Sequence, residues 1–81
     1  MNVTVQDVIE VIREMELPGI EVDGLSPSES LLKQGLDSLD MMDLYFRLEE
    51  KFGKPIKFDD AKAQHAQWTC LADIADGINK L

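Results

Sequence analysis

Basic residues are scarce in this chain. Eight Lys and Arg stand against sixteen Asp and Glu, a formal net charge of −8 over 81 residues. So few cations cannot neutralise a phosphate backbone. Nucleic acid is therefore excluded as a partner, and docking to anionic lipid is disfavoured. The one cysteine, Cys70, rules out an internal disulfide and fits a reducing compartment. The one histidine, His65, stands in a polar segment some way along the chain, and the sequence around Ser38 is not the Gly-x-Ser-x-Gly elbow, so no hydrolase triad and no catalytic set is expected. Cys70 and His65 are isolated, the loop acids lack calcium-loop spacing, and no metal site is expected. A glycine-rich phosphate loop is missing as well. No apolar run approaches the roughly 20 residues of a membrane span. The stretch Met1-Asn2-Val3-Thr4-Val5-Gln6-Asp7 lacks a basic region followed by an apolar one, so a cytoplasmic chain without signal peptide is expected.

What is present suits one small domain, residues 1–81, with a modest core: 44% of the residues are hydrophobic. An acidic surface favours encounter with basic protein partners, although acid also serves plain solubility. Thr4 with Asp7 three residues on reads as a helix start. Val5, Val8, Ile9, Ile12 and Met15 follow at helical spacing, with Asp7, Glu10, Arg13 and Glu14 opposite. The first helix is predicted over about residues 4–16, stopped by Pro18-Gly19. Residues 17–37 form a long connection, which in a small domain either warns against the element assignment or points to function. Ile20, Val22, Leu25, Leu31, Leu32 and Leu36 are expected to pin it, and Ser28–Leu32 to make one helical turn.

The second helix is predicted from Ser38 to Phe52, ended by Gly53 and Pro55. At about 100° per residue, with Ser38 at zero, Met41, Leu44, Tyr45, Leu48 and Phe52 lie between roughly 240° and 340°. Leu39, Met42 and Phe46 lie between roughly 40° and 100°. Asp40, Asp43, Arg47, Glu50 and Lys51 fill the polar face, and Ser38 and Glu49 sit in the gap between the apolar arcs. One arc serves the core. The other either widens the buried face or stays exposed with an acid rim, as a docking surface would. A short third helix is predicted from Ala61 to about His65, with Trp68 a packing anchor. Thr69 is expected to cap the last helix, whose stripe is Leu71, Ile74, Ala75, Ile78 and Leu81. The fold class is all-α: a small bundle of three longer helices and one short one.

Ser38 stands at a helix N-terminus, where unpaired N–H groups and a partial positive charge favour a phosphodiester. Asp37 can supply the cap and leave the Ser38 hydroxyl free. The plain alternative is that Ser38 is itself the cap.

The stretch Leu32-x-x-Gly35-Leu36-Asp37-Ser38-Leu39-Asp40-x-x-Asp43-Leu44, followed by Leu48-Glu49-Glu50-Lys51-Phe52-Gly53, resembles the acyl carrier proteins. The likeness spans the whole chain, and its hallmark is Asp37-Ser38-Leu39. The resemblance implies that Ser38 receives 4′-phosphopantetheine from coenzyme A through a phosphopantetheinyl transferase. Asp37 is then the adjoining motif acid. Asp40, Asp43, Glu49 and Glu50 match an acidic surface read by basic partner enzymes, with Leu39, Met42 and Phe46 its apolar contacts. It further implies a monomeric, non-catalytic carrier of acyl thioesters, loaded by a ligase or synthase and unloaded by downstream synthases or transferases, in fatty acid, polyketide or other specialised synthesis. Arg47 and Lys51 dilute the acid of the second helix. Ile56-x-Phe58-Asp59 and Trp68-Thr69 are more similar to the D-alanyl and aminoacyl carrier branch. An unmodified acidic interaction module is the alternative from another class.

Overall fold

Thr4 opens the first helix with a reciprocal cap. Its hydroxyl accepts the Asp7 N–H at 3.1 Å, and the Asp7 carboxylate accepts the Thr4 N–H at 2.9 Å. Two donors that a helix start leaves orphaned are thereby satisfied. The computed structural model describes residues 2–54 and 69–80. In it this helix, α1, runs Val5–Glu14, shorter than the predicted 4–16. The cause is Glu16, which adopts φ +52°. The Met15 and Glu16 N–H groups bond back to Ile12 and Arg13, so the final turn tightens and the chain leaves before Pro18. Proline disfavours helical geometry at the residue ahead of it, here Leu17. Val8, Val11 and Ile12 are buried and Val5, Ile9 and Met15 pack at the margin. Val11 is an addition to the predicted stripe.

Helix α2 runs Ser38–Phe52, the bounds that the sequence predicts. Its C-terminus is closed by Gly53 at φ +66°, whose N–H bonds the Glu49 carbonyl at 2.9 Å, the left-handed end that glycine adopts without a Cβ penalty. Met41, Leu44, Tyr45 and Leu48 are buried and Phe52 is half-buried, so one of the two apolar arcs is the core arc. Helix α3, Leu71–Asn79, buries Leu71, Ile74, Ala75 and Ile78. Helix α1 packs against both α2 and α3. Among the described residues the fold is all-helical, without a strand. No described helix is long and apolar enough to cross a membrane. The predicted short helix from Ala61 to His65, and the anchors Ile56, Phe58, Trp68 and Leu81, lie outside the described residues.

Thr69 is not the cap of α3. The N-cap is Cys70, which is buried and makes no side-chain cap bond. Thr69 instead gives its carbonyl to the Leu31 N–H at 2.7 Å, and the Ala72 N–H bonds the Pro27 carbonyl at 3.0 Å. These two bonds join the long connection to the start of α3. At the other end of α3, the Asn79 amide pairs with Val3, accepting its N–H at 2.7 Å and donating to its carbonyl at 2.8 Å. The chain ahead of α1 is fastened there.

Tyr45 is the only tyrosine in the chain, and burial pushes its phenol up to about 12. The unfolded chain therefore releases that proton first, near pH 10. Stability should hold up to pH 10, fall as pH rises towards 12, and lose roughly 2–3 kcal/mol over that interval. Phenolate absorbance and urea midpoints followed across the same range check this. A phenol that titrates at its ordinary value in the folded chain would contradict it.

Candidate functional site

The loop that leads into α2 is more ordered than its composition suggests. Leu31 and Leu36 are fully or almost fully buried, and Ile20, Val22 and Leu25 pack against the core. Leu32 does not pin the loop as expected: it is 51% exposed, because Leu31 beside it takes the core position. The predicted turn over Ser28–Leu32 is displaced. One turn of 3-10 helix forms at Val22–Gly24, held to α1 by the Arg13 guanidinium on the Asp23 carboxylate at 2.5 Å. A second turn forms where the Lys33 and Gln34 N–H groups bond the Ser30 and Leu31 carbonyls. The Leu36 N–H then reaches the Leu31 carbonyl at 3.1 Å. Gly35, between them, adopts φ +117°, and a Cβ there would stand 2.7 Å from Ile20 Cδ1. The positive φ calls for glycine here, whereas the Ile20 methyl group, at the end of a flexible side chain, would only have to shift.

Asp37 follows in extended geometry and caps α2. Its carboxylate accepts the Asp40 N–H at 2.8 Å, and the Asp40 carboxylate accepts the Asp37 N–H at 3.0 Å. This reciprocal box leaves the hydroxyl of the next residue with nothing to cap. Ser38 is exposed at the first helical position, and its hydroxyl takes part in none of the hydrogen bonds of the loop or of the cap.

The second apolar arc stays outside. Leu39 is 75% exposed, Met42 46% and Phe46 53%, and their spacing of three and four residues puts them in one strip beside Ser38. The acids around them differ in state. Asp40 is half-buried and engaged in the capping box. Asp43 accepts from the Arg47 guanidinium at 3.2 Å. Glu49 is half-buried on the Ser38 side of the strip. Glu50 is exposed and turned away from Ser38. It lines a shallow cleft of about 320 Å³ with Val11, Glu14, Arg47 and Lys51, and across that cleft Lys51 pairs with Glu14 at 3.5 Å. The structure thus brings Asp37, Ser38, Leu39, Met42 and Phe46 into one region and sets Glu50 apart from it.

This arrangement offers a free hydroxyl at the positive end of a fifteen-residue helix. A phosphodiester there gains about 0.3–1 kcal/mol from the helix end. Against that stand the Asp37 and Asp40 carboxylates, and each repels a phosphate charge by about 0.7 kcal/mol at a distance of roughly 6 Å in water. The two repulsions together come to about 1.4 kcal/mol and are no smaller than the gain. A phosphate on Ser38 fits the site without being clamped to it, which leaves whatever it bears free to swing.

A helical domain with an exposed serine at a helix start and an apolar strip beside it is suited to be modified and docked. The family model for the phosphopantetheine attachment site matches residues 6–78. The chain belongs to this family. Its members bear covalently attached 4′-phosphopantetheine, so that this cofactor, a transferase that installs it and biosynthetic enzymes that use it are implied for this chain. Comparison with curated proteins and with solved structures gives no significant match.

The sequence hid one contributor to the site, Gln34, and a second role of Asp40. The side chain of Gln34 makes three hydrogen bonds to the loop backbone. Asp40 holds the Asp37 N–H besides lying at the edge of the strip. The Asp37-x-x-Asp40 spacing is the one available signal for the second of these, since an acid three residues after a cap is a capping-box pattern.

Proposed function

We propose that Ser38 is the attachment residue and that residues 1–81 form a single non-catalytic carrier domain. One observation supports this most: Asp37 takes the cap at 2.8 Å and so releases the Ser38 hydroxyl at an exposed helix start. In the transfer, a bond forms between Ser38 Oγ and the phosphorus bearing the pantetheine arm. The pyrophosphate bond of coenzyme A breaks, adenosine bisphosphate leaves, and the serine proton passes to a base of the transferase. When bound, the arm supplies a terminal thiol for thioester chemistry. This chain orients the serine, keeps its hydroxyl uncommitted and presents Leu39, Met42 and Phe46 to the visiting enzyme, with Asp40, Asp43, Glu49 and Glu50 as the acidic residues of α2. The tether holds a cargo at high effective concentration for successive enzymes. Acyl thioesters for fatty acid, polyketide or other specialised synthesis are the cargo class we favour. The Ile56-x-Phe58-Asp59 and Trp68-Thr69 stretches support an aminoacyl cargo as the second reading. A reducing, cytoplasmic setting fits the one unpaired thiol, Cys70.

Incubation with coenzyme A and a broad-specificity phosphopantetheinyl transferase should add a single arm of about 340 Da, read by intact mass. No mass shift would overturn the proposal. Phe46→Glu and Met42→Glu test the strip. Both side chains are exposed, so stability should change by no more than about 0.5 kcal/mol, whereas transfer efficiency should fall about tenfold or more, as expected for loss of a central apolar contact. Efficiency within twofold of the wild type for both variants would remove the strip from the docking surface.

A further inference from the structure

The loop before Ser38 is fastened by one side chain. The Gln34 amide oxygen accepts the Ser26 N–H at 2.7 Å, and its nitrogen donates to the Ser26 carbonyl at 3.0 Å and to the Glu29 carbonyl at 2.8 Å. The primary amide behaves as an extra peptide unit. It pairs both backbone groups of Ser26 and draws residues 26–29 onto the turn that ends at Gly35. The same stretch is fixed from outside by Pro27 to Ala72 and by Leu31 to Thr69. Within it the Leu36 N–H closes on Leu31, and Leu31 and Leu36 are sealed in the core. Three residues separate Gln34 from Ser38, and one of them is Gly35 at φ +117°. Glycine is the residue least able to hold a conformation by itself. The direction in which the chain enters Asp37 and Ser38 is therefore set by what lies on either side of Gly35, namely the Gln34 clasp and the buried Leu36.

We propose that Gln34 is a positioning residue for the transfer of the phosphopantetheine arm: its three-bond clasp keeps residues 26–36 in the shape that the transferase meets. The inference rests on Ser38 being the attachment residue. Gln34 itself touches neither the hydroxyl nor the arm. Its effect passes through the loop, and an enzyme that must first order such a loop loses apparent affinity in proportion to the fraction of time the loop is already in place.

The test is steady-state transfer from coenzyme A by a broad-specificity phosphopantetheinyl transferase, with the full chain as varied substrate. Gln34→Leu keeps the bulk and removes all three bonds. Gln34→Glu keeps the acceptor for Ser26 but sets a carboxylate oxygen, which can only accept, against the Ser26 and Glu29 carbonyls, and so opens the clasp by a different route. Asn79→Ala removes two side chain–backbone bonds at Val3 and controls for general loss of stability. In Gln34→Leu and Gln34→Glu alike, KM should rise about three- to tenfold or more with kcat nearly unchanged, and Asn79→Ala should leave KM at the wild-type value. Hydrogen exchange at the Ser26 amide should quicken in both Gln34 variants. KM within twofold of the wild type in a folded Gln34 variant overturns the proposal, as does an equal rise in KM for Asn79→Ala. A wild-type chain that accepts no arm overturns the Ser38 reading, and this inference with it. An arm that is accepted normally by every variant overturns this inference alone.

Discussion

Ser38→Ala should accept no arm and yet fold as the wild type does. Complete loss is expected because the substitution deletes the oxygen that forms the bond to phosphorus, and no neighbouring hydroxyl replaces it. The other serines, Ser26, Ser28 and Ser30, belong to the loop, where Ser26 is held by Gln34. The fold should survive because the Ser38 side chain is exposed and the cap of α2 belongs to Asp37. Alanine is the best helix former, so the urea midpoint should correspond to a change within about 0.5 kcal/mol. The contrast is Asp37→Ala. That variant loses the cap and should cost about 1 kcal/mol. A Ser38→Ala chain that unfolds readily would show that the hydroxyl is structural after all.

Leu44→Ala should be the most destabilising single change of those considered. Leu44 is fully buried on the core arc of α2. Deleting such a side chain loses transfer energy and leaves a cavity, at a cost of about 2–5 kcal/mol. A domain of this size has a total stability of roughly 4–12 kcal/mol. The variant should therefore lose a large share of that stability, and its urea midpoint should drop by about 2 M or more if the slope is near 1 kcal/mol/M. Met42→Ala, two residues earlier on the exposed arc, is the control, with an expected change of about 0.5 kcal/mol or less. Equal effects at the two positions would mean that the division of α2 into a core arc and an outer arc is wrong.

That division was legible in the sequence because α2 obeys local rules throughout. Asp37 caps it, Gly53 ends it, and a period of about 3.6 residues separates Leu44 from Met42 without reference to any other element. The pattern offers Leu39, Met42 and Phe46 as the outer arc, with one broad buried face as the alternative, and leaves the choice between them to packing. It is decided by α1, which packs on α2, and by Leu31 and Leu36, which fill the core beside it. The end of α1 was misplaced because Glu16, not a glycine, takes the left-handed conformation. Thr69 was misread as a cap because its carbonyl is committed to the Leu31 N–H, a partner far away in sequence. Gln34 was invisible for the same reason. A glutamine in a polar loop carries no sign that its amide will pair with Ser26 and Glu29 until the loop has closed. The site divides along the same line. Its local part, the Asp37–Ser38 junction, could be read directly, and the order of the loop that presents it could not.

The strip beside Ser38 also bears on how partners are recognised. Arg47 answers Asp43, Asp40 is committed to the cap, and Lys51 answers Glu14. Exposed pairs of this kind contribute little to stability, but they lower the net acid that a basic partner would meet on α2. If partners dock on the strip as proposed, apolar contact at Leu39, Met42 and Phe46 should account for a larger share of docking than the total charge of −8 implies.

The most direct measurement is fragment mass spectrometry of the chain after incubation with coenzyme A and the transferase. A single phosphopantetheine on Ser38, with Ser26, Ser28, Ser30, Thr4 and Thr69 unmodified, is the expected result. An arm on any of those other residues, or none at all, would contradict the assignment.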